Sequence, residues 1–365
     1  MGEHSIYRRI IGPGAPSWTL PIRGLLRLGE AGYTVAVGLR NAYYDWRGPR
    51  HVLPLPVISV GNLTVGGTGK TPFVIALVHR LAQMGLTPAV VARGYKAKPG
   101  EPNDEERLIR AHCPGVVVVS GVDRAAAAEV ASREIGGDIV ALPDVIVLDD
   151  AFQHRRIARS LDIVLLDATC PFGYGHLLPR GLLREPVRSL RRAQAVVVTR
   201  ADQATDHQRK VLRAAVRSWA GDVPLMECIH RVTSVERLDG TVVNGSLAGR
   251  RAVLFAGIAR PEAFARTARS LGVDVVGTRW WPDHHHYQPG DIRSLLAKKR
   301  PHSGSPTAPY DVLLTTEKDA VKLARLDGLD DPGILVLKIS IDFLADGVTI
   351  LQNLLDRSLV SGNVK

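Results

Sequence analysis

The chain has 365 residues and a formal net charge of +11, and its length allows more than one domain with a buried core. The positive charge calls for anionic partners. Because basic residues are spread along the chain without interleaved aromatics, nucleic acid is disfavoured among them. The three cysteines, Cys113, Cys170 and Cys228, lie far apart. Their spacing argues against a disulfide framework or a zinc site and suits a reducing cytoplasm.

The first predicted element is an N-terminal helix over Leu20–Trp46. One face carries Arg23, Arg27 and Glu30, and the opposite face carries Leu25, Leu28 and Val35. The longest uncharged run, Ala31–Leu39, is nine residues. That is far below the roughly 20 that a membrane-spanning helix needs, and no signal-peptide cleavage pattern follows. The pattern itself fits equally a helix lying in a membrane interface and a helix packed on a domain surface.

Apolar runs that alternate with helical patterns follow the N-terminal helix. The runs that indicate buried strands are Val57–Val60, Ala89–Val91, Val116–Val119, Val145–Leu148, Ile163–Leu166 and Ala195–Thr199. The helical patterns between them are Pro72–Met84, Arg124–Glu134 and His207–Trp219. This alternation predicts an α/β fold with a doubly wound, mostly parallel sheet. In such sheets the chemistry gathers at the carboxyl ends of the strands.

A second, smaller α/β domain is predicted after the first. Its expected strands are Leu225–Val232, Thr241–Val243, Ala252–Phe255, Val273–Thr278, Val312–Thr315 and Ile334–Ile341, and the last could pair back with the first. Its expected helices are Pro261–Leu271, Pro289–Lys298 and Ala320–Leu326, with Gly347–Leu355 as a closing helix. We therefore expect an N-terminal helix region over 1–50, a core with the doubly wound sheet over 51–222 and the smaller domain over 223–344. The closing helix near 345–357 could pack back on the core.

The turn Gly66-Gly67-Thr68-Gly69-Lys70-Thr71 follows the first predicted strand and precedes a helix. Backbone N–H groups of such a turn, together with the start of the helix, bind phosphates. Lys70 is expected to reach the β- and γ-phosphates of ATP, and Thr71 to provide a hydroxyl ligand to magnesium. The strict motif would place its first glycine at position 64, where this chain has Thr64.

Acidic and histidine side chains follow other predicted strands. Asp149 and Asp150 end the apolar run Val145–Leu148 and are candidates for holding magnesium, and the sequence does not choose between them. Asp104 lies in a short acidic run that fits either a general base or a solvated helix N-terminus. His284, within a cluster of three histidines, fits either a surface loop or a residue that orients a carboxylate.

Taken together, these motifs resemble the tetraacyldisaccharide 4'-kinase family, the lipid A 4'-kinases. The segments that carry the resemblance are Val60–Asn62, Gly66–Pro72, Arg93–Tyr95, Leu148–Arg155, Leu178–Pro186, Asp283–His285 and Thr316–Ala320. They run in the family's order, and even the shifted early glycine is the family's form. The resemblance implies a kinase, dependent on ATP and magnesium, at the cytoplasmic face of a bacterial inner membrane. It would phosphorylate the 4'-hydroxyl of a tetraacylated glucosamine disaccharide 1-phosphate.

The resemblance also implies roles for individual residues. Asp104 matches the family's proposed catalytic base and His284 the histidine paired with it, and closure of a hinge between the two domains would bring them together. Gln153, which follows the paired acids, and Glu185, which follows Arg184 in a motif near the active site, are assigned to nucleotide binding.

The chain departs from the family at two of these places. Asn103 stands where the family usually has glycine, after a shortened segment, and Ala151 replaces the glycine that usually follows the paired acids.

The implied partners are the lipid A disaccharide precursor and the anionic surface of the inner membrane. The helix Leu20–Trp46 then becomes a membrane and acyl-chain contact. Two alternatives remain. Thr199-Arg200-Ala201-Asp202 has the shape of a guanine-reading motif with Arg in place of Lys, which would fit a P-loop GTPase switch. A P-loop kinase for a soluble small molecule is the other.

Overall fold

The computed structural model describes residues 7, 9–94, 102–121, 124–131, 142–299, 310–326, 329 and 333–361. Tyr95 and the last residues of the helix predicted over Arg124–Glu134 lie outside this set. The described parts of 7–229 and 341–361 form one compact unit, which we call the larger unit, and those of 230–340 form the smaller unit.

The helices and strands are numbered in chain order. The helices are α1 (Leu20–Arg47), α2 (Lys70–Gln83), α3 (Asp104–His112), α4 (Arg124–Ala131), α5 (Asp206–Ala220), α6 (Pro261–Ser270), α7 (Pro289–Lys299), α8 (Glu317–Leu323) and α9 (Gly347–Ser361). The strands are β1 (Val57–Asn62), β2 (Pro88–Ala92), β3 (Val117–Ser120), β4 (Val145–Asp149), β5 (Leu161–Asp167), β6 (Ala195–Thr199), β7 (Leu225–Arg237), β8 (Arg251–Ala256), β9 (Asp274–Trp280), β10 (Val312–Thr316) and β11 (Ile334–Phe343). The chain passes from the larger unit to the smaller one within β7 and returns within β11.

The larger unit is built on a parallel sheet with strand order β3-β2-β4-β1-β5-β6-β7. Five of its strands, β1, β2, β4, β5 and β6, are buried at every residue. Burial on both faces explains why these strands are near-continuous apolar runs without alternation. The predicted α/β fold with a mostly parallel sheet is confirmed.

Helix α2 directs one face onto this sheet. Its buried side chains are Phe73, Val74, Leu77, Val78 and Leu81, which recur at helical spacing. They join one hydrophobic cluster with Leu351 and Leu355 of α9. The ring of Phe73 also meets that of Phe343 edge to face, with centroids 6.1 Å apart. The C-terminal helix therefore completes the core that supports the start of α2.

The smaller unit has the strand order β7-β11-β10-β8-β9. The predicted pairing of the late strand with β7 is confirmed, since β11 lies beside β7. The predicted strand Thr241–Val243 is wrong, because only an isolated bridge between Glu236 and Val242 forms there. The backbone pairing there consists of two hydrogen bonds, from the N–H of Val243 to the carbonyl of Val235 at 2.8 Å and from the N–H of Arg237 to the carbonyl of Thr241 at 2.9 Å.

Helix α8 begins at Glu317, three residues before its predicted start. The reason is an N-cap, since the side chain of Thr316 accepts a hydrogen bond from the backbone N–H of Asp319. Among the described residues, no helix combines the length and the apolar character that crossing a bilayer requires.

Candidate active site

The glycine-rich turn joins the carboxyl end of β1 to the start of α2. Gly66 and Gly69 have φ angles of 112° and 83°, a conformation that glycine adopts without steric cost. Gly69 is the N-cap residue of α2, so Lys70 and Thr71 form the first turn of that helix. The unpaired N–H groups and the positive end of the helix dipole thus lie at this turn, as a phosphate site requires.

Lys70 is held at the sheet edge by two oxygen atoms. Its Nζ lies 3.3 Å from Oδ1 of Asn62 and 3.3 Å from Oδ1 of Asp150. Asn62 is fully buried and donates from Nδ2 to the carbonyl of Thr64 at 2.8 Å. A polar residue at the end of β1 therefore orients both the turn and its lysine. The sequence motifs assigned no role to Asn62 beyond its place in the family pattern.

The two strand-end acids differ in their surroundings. Asp149 is the last residue of β4, buried and opposite Val60 of β1. Asp150 has a φ of 51° and accepts hydrogen bonds from Arg184 Nη1 at 2.8 and 2.9 Å. Arg93 follows β2, and its Nη1 lies 3.8 Å from Oδ2 of Asp150. The carboxylate of Asp150 is thus an ionic link between three cations, namely Lys70, Arg93 and Arg184.

The segment after these acids packs tightly against β1. A Cβ added to Gly61 would lie 2.5 Å from both N and Cβ of Phe152. Gln153, predicted to bind nucleotide, donates from Nε2 to the carbonyl of Asn62 at 2.9 Å. The structure therefore brings Gln153 to the base of the turn.

Glu185, also predicted to bind nucleotide, lies in a buried cluster with basic and amide groups. Its Oε2 accepts from Arg192 at 2.7 Å and from Asn41 of α1 at 3.3 Å. Its Oε1 lies 3.4 Å from Arg40 Nη1. Burial lowers the pKa of Arg192, and Glu185 opposes this effect. These contacts tie α1 to the segment that carries Arg184, and nucleotide binding by Glu185 stays a prediction.

The candidate base and the candidate histidine lie in different units. Asp104 is the first residue of α3 in the larger unit, after Asn103, whose side chain accepts from the N–H of Glu106 at 2.8 Å. Asn103 is therefore a helix cap, which gives a physical reason for an asparagine at this place.

His284 belongs to the smaller unit and has a φ of 61°. Its Nε2 lies 3.4 Å from Nζ of Lys318, which in turn lies 3.2 Å from Oδ1 of Asp283. Burial alone would raise the pKa of Asp283, but Lys318 and His284 outweigh it and lower that pKa. Asp283 is therefore ionised at neutral pH beside His284.

Two polar residues at the carboxyl end of β6, Thr199 and Arg200, also contact the turn. Arg200 donates to the carbonyl of Gly67 at 3.1 Å and to Oδ2 of Asp167 at 2.6 Å. Thr199 donates to the carbonyl of Thr68 at 2.8 Å. The sequence pointed to Thr199 and Arg200 only as part of a guanine-reading pattern. For Asp167, the signal available in the sequence was an acidic residue directly after the apolar run Ile163–Leu166.

The described residues contain no group of three or more His, Cys, Asp and Glu side chains placed to hold a metal ion. A magnesium site at a P-loop does not need one, because a hydroxyl, a carboxylate and phosphate oxygens share the ion. Thr71 and the acids at the carboxyl end of β4, Asp149 and Asp150, are donors of that kind, and β4 lies beside β1, which leads into the turn.

Comparison with known proteins shows matches over most of the chain. The family model for tetraacyldisaccharide-1-P 4'-kinase, LpxK, matches residues 22–359. The tetraacyldisaccharide 4'-kinase of Anaeromyxobacter dehalogenans strain 2CP-1 is 39% identical, with 92% of this chain and 90% of the relative covered. The enzyme of that name from Syntrophus aciditrophicus is also 39% identical, with 88% and 89% covered.

A solved structure is similar as well. LpxK from Aquifex aeolicus, in complex with ATP, is 27% identical and superposes with a TM-score of 0.67. The match covers 93% of this chain and 99% of that one.

Proposed function

Because the chain belongs to the tetraacyldisaccharide 4'-kinase family, we propose that it transfers the γ-phosphate of ATP to the 4'-hydroxyl of a tetraacyldisaccharide 1-phosphate. The predicted family and the predicted kinase are confirmed. The observation that carries the assignment of the site is the strand–turn–helix arrangement with Lys70, joined to Asp150 after the neighbouring strand. The family match favours this lipid kinase over a GTPase switch and over a kinase for a soluble substrate.

The nucleotide is bound at the turn after β1. Backbone N–H groups of Gly66, Gly67, Thr68 and Gly69 and the first turn of α2 receive its phosphates. Lys70 binds the β- and γ-phosphate oxygens, and Gln153 and Glu185 support the same site from the segment after β4 and from the contact with α1.

The hydroxyl of Thr71 and the strand-end acids Asp149 and Asp150 would hold magnesium. These are hard oxygen donors of the kind that magnesium prefers. A magnesium ion bound there would supply positive charge that offsets the negative charge of the phosphates during transfer. Asp150 has a second role, since its contacts with Lys70 and Arg184 keep those cations at the carboxyl ends of the strands.

Asp104 is the proposed base, and it takes the proton from the acceptor hydroxyl as that oxygen attacks the γ-phosphorus. The bond between the γ-phosphorus and the bridging oxygen breaks, and ADP leaves with that oxygen. His284 assists from the loop after β9, where Lys318 of α8 contacts both His284 and Asp283. Asp104 is the first residue of α3.

Helix α1 has two different faces, and both support an acceptor at a membrane surface. One face packs on the larger unit, where Tyr33 donates to the carbonyl of Arg184 at 3.0 Å and Glu30 accepts from the N–H of Leu177 at 2.9 Å. The other exposes large apolar side chains, namely Leu20, Leu25, Leu28, Val35, Leu39 and Trp46, which are 61–80% exposed. A peripheral helix with such a face inserts into the headgroup region.

Positive charge is crowded beside the packed face of α1. Burial, and then the neighbouring Arg23 and Arg27, lower the pKa of the Arg180 guanidinium. Together with the net charge of +11, this favours an anionic lipid surface and a phosphorylated acceptor. We place the enzyme peripherally, at the cytoplasmic face of the inner membrane.

The direct test supplies ATP, magnesium and the disaccharide 1-phosphate lipid in mixed micelles and looks for a bis-phosphorylated lipid by mass spectrometry. We expect an increase of one phosphate group with ATP and little product with GTP. Absence of product, or equal turnover of a water-soluble sugar, would overturn the proposal.

A further inference from the structure

Two consecutive carbonyl groups of the glycine-rich turn accept hydrogen bonds from residues at the carboxyl end of β6. The carbonyl of Gly67 accepts from Arg200 Nη1 at 3.1 Å, and the carbonyl of Thr68 accepts from Thr199 Oγ1 at 2.8 Å. Thr199 ends β6 and is fully buried, and Arg200 is the next residue. The ends of two elements more than 130 residues apart in sequence are thereby joined at the turn.

The direction of these carbonyls fixes the direction of the next amides. Among the described residues the cis peptide bond is Leu178–Pro179, so the bonds after Gly67 and Thr68 are trans. In a planar trans peptide the C=O and the following N–H point in opposite directions. When both carbonyls point towards β6, the N–H groups of Thr68 and Gly69 point away from it.

We propose that Thr199 and Arg200 are positioning residues that aim the Thr68 and Gly69 amides at the phosphates of the nucleotide. This inference rests on the proposed function, since it needs a nucleotide at the turn. Neither side chain has to touch the nucleotide. Each acts through a backbone carbonyl, and amides aimed in advance do not have to be reoriented when phosphate binds.

Two features of Arg200 are energetically unfavourable, namely its backbone conformation and its buried ion pair. Its φ is 54°, a left-handed conformation that a residue with a side chain rarely adopts. Its partner Asp167 is buried, 1% exposed, and burying an ion pair is a poor way to gain stability. Strain and buried charge that persist together at one place indicate a functional constraint.

Asp167 is itself fixed so that one oxygen remains for Arg200. Its Oδ1 accepts from the N–H of Thr169 at 2.9 Å and from the Thr169 hydroxyl at 2.7 Å. Its Oδ2 accepts from Arg200 at 2.6 Å. The guanidinium is therefore clamped between an immobile carboxylate and the Gly67 carbonyl, so it can hold that carbonyl in one orientation.

The sharpest test uses a matched pair at position 199. Thr199→Val removes the hydroxyl and keeps the shape, whereas Thr199→Ser keeps the hydroxyl. We expect the Kd for ATP, measured by calorimetry with magnesium present, to rise about tenfold in Thr199→Val, because a lost hydrogen bond in a buried site has an effect of this order. In Thr199→Ser the Kd should stay within about twofold of the unchanged protein.

Arg200 provides a second, independent pair. Arg200→Met should raise the KM for ATP by about tenfold or more, while the KM for the lipid acceptor changes little, and Arg200→Lys should recover part of the loss. Unfolding temperatures without nucleotide are measured alongside. A lower unfolding temperature with unchanged ATP affinity would show a structural role only and would overturn the inference.

The outcomes also separate this inference from the proposed function. If the unchanged protein binds no ATP, the proposed function fails. If it binds ATP and Thr199→Val and Arg200→Met bind equally well, the proposed function stands and the positioning role is overturned.

Discussion

The ammonium group of Lys70 lies 3.3 Å from Oδ1 of Asp150, so an ion pair joins the first residue of α2 to the residue that follows β4. Both side chains are largely buried, at 13% and 15% exposed. Arg184 binds the same carboxylate from another segment. The lysine that should bind phosphate is thus held in position by the carboxylate of Asp150.

Removing the charge of Lys70 tests this arrangement. We expect Lys70→Met to lower kcat/KM for ATP by about 100-fold or more, equivalent to at least about 2.7 kcal/mol of transition-state stabilisation. The measurement is steady-state kinetics with the lipid acceptor. Lys210→Met, on the exposed face of α5, is the matched control and should leave the rate unchanged. Comparable activity in Lys70→Met and the control would contradict the assignment.

Gly61 should not tolerate a methyl group. In Gly61→Ala the new Cβ would lie 2.5 Å from backbone and side-chain atoms of Phe152, so one of the two segments must move. We expect a loss of about 1–3 kcal/mol in the free energy of unfolding and weaker ATP binding, because Gln153 follows Phe152 and holds Asn62.

The control for this prediction is a glycine in open surroundings. A Cβ on Gly32 of α1 would meet no atom within 4 Å, so Gly32→Ala should be neutral or stabilise the protein by up to about 1 kcal/mol. Thermal unfolding followed by circular dichroism compares the two variants. Equal unfolding temperatures for Gly61→Ala and the unchanged protein would show that the contact is not tight.

The sequence was sufficient for the strands of the larger unit because five of them are buried on both faces, whereas helix α3 was not predicted as a helix. Such strands are continuous apolar runs, and β6 was predicted at its observed bounds, Ala195–Thr199. The failure at Thr241–Val243 has the opposite cause. A short run can be extended without having a partner strand along its whole length, and no local pattern reveals that.

In the candidate site, too, the local motif could be predicted and the long-range contacts could not. Glycine, lysine and threonine within one turn form a local motif, so the phosphate site could be predicted. Contacts such as that of Arg200 with Gly67 or Arg40 with Glu185 join residues 133 and 145 positions apart. They depend on which elements the folded chain brings together, and no local pattern in the sequence shows that.

His284 should affect turnover more than nucleotide binding. We expect His284→Ala to lower kcat by at least about tenfold, as loss of a group that assists proton transfer does, while the Kd for ATP changes by less than about twofold. His286 is the exposed neighbour in the same cluster, so His286→Ala is the control and should retain the full rate. Turnover at the normal rate in His284→Ala would exclude a role for this histidine.

Acid should weaken the loop that carries His284. The pKa of Asp283 is lowered because Lys318 and His284 outweigh the effect of burial. Its ionised form therefore adds stability that is present above the unfolded-state pKa, about 3.9, and lost as the pH falls through the lower folded value. In Asp283→Asn the unfolding temperature should depend less on pH below about pH 4. If the unfolding temperature of Asp283→Asn fell with acid as much as that of the unchanged protein, a lowered pKa for Asp283 would be contradicted.

The three cysteines should differ in reactivity. Burial raises the pKa of Cys113 to about 11 and that of Cys228 to about 12, and both are buried. Alkylation requires the thiolate, so these two should resist iodoacetamide at pH 7.5, whereas the half-buried Cys170 should react. Intact mass spectrometry should show one adduct on the folded protein and three after denaturation. Cys170→Ser should show none while folded, and an adduct on Cys228 would contradict its burial.

The exposed face of α1 should be needed for membranes and dispensable for folding. Leu25, Leu28, Val35 and Leu39 are 61–73% exposed, so replacing all four with Gln removes little from the core. Each apolar side chain inserted into a bilayer contributes about 1 kcal/mol or more. The four changes should therefore lower binding to anionic phospholipid vesicles at least about tenfold. The paired change Val211→Gln and Trp219→Gln, on exposed positions of α5, is the control. Because the packed face of α1 is untouched, ATP affinity and unfolding temperature should match those of the control. Vesicle binding equal to that of the control would show that this face is not the one that meets lipid.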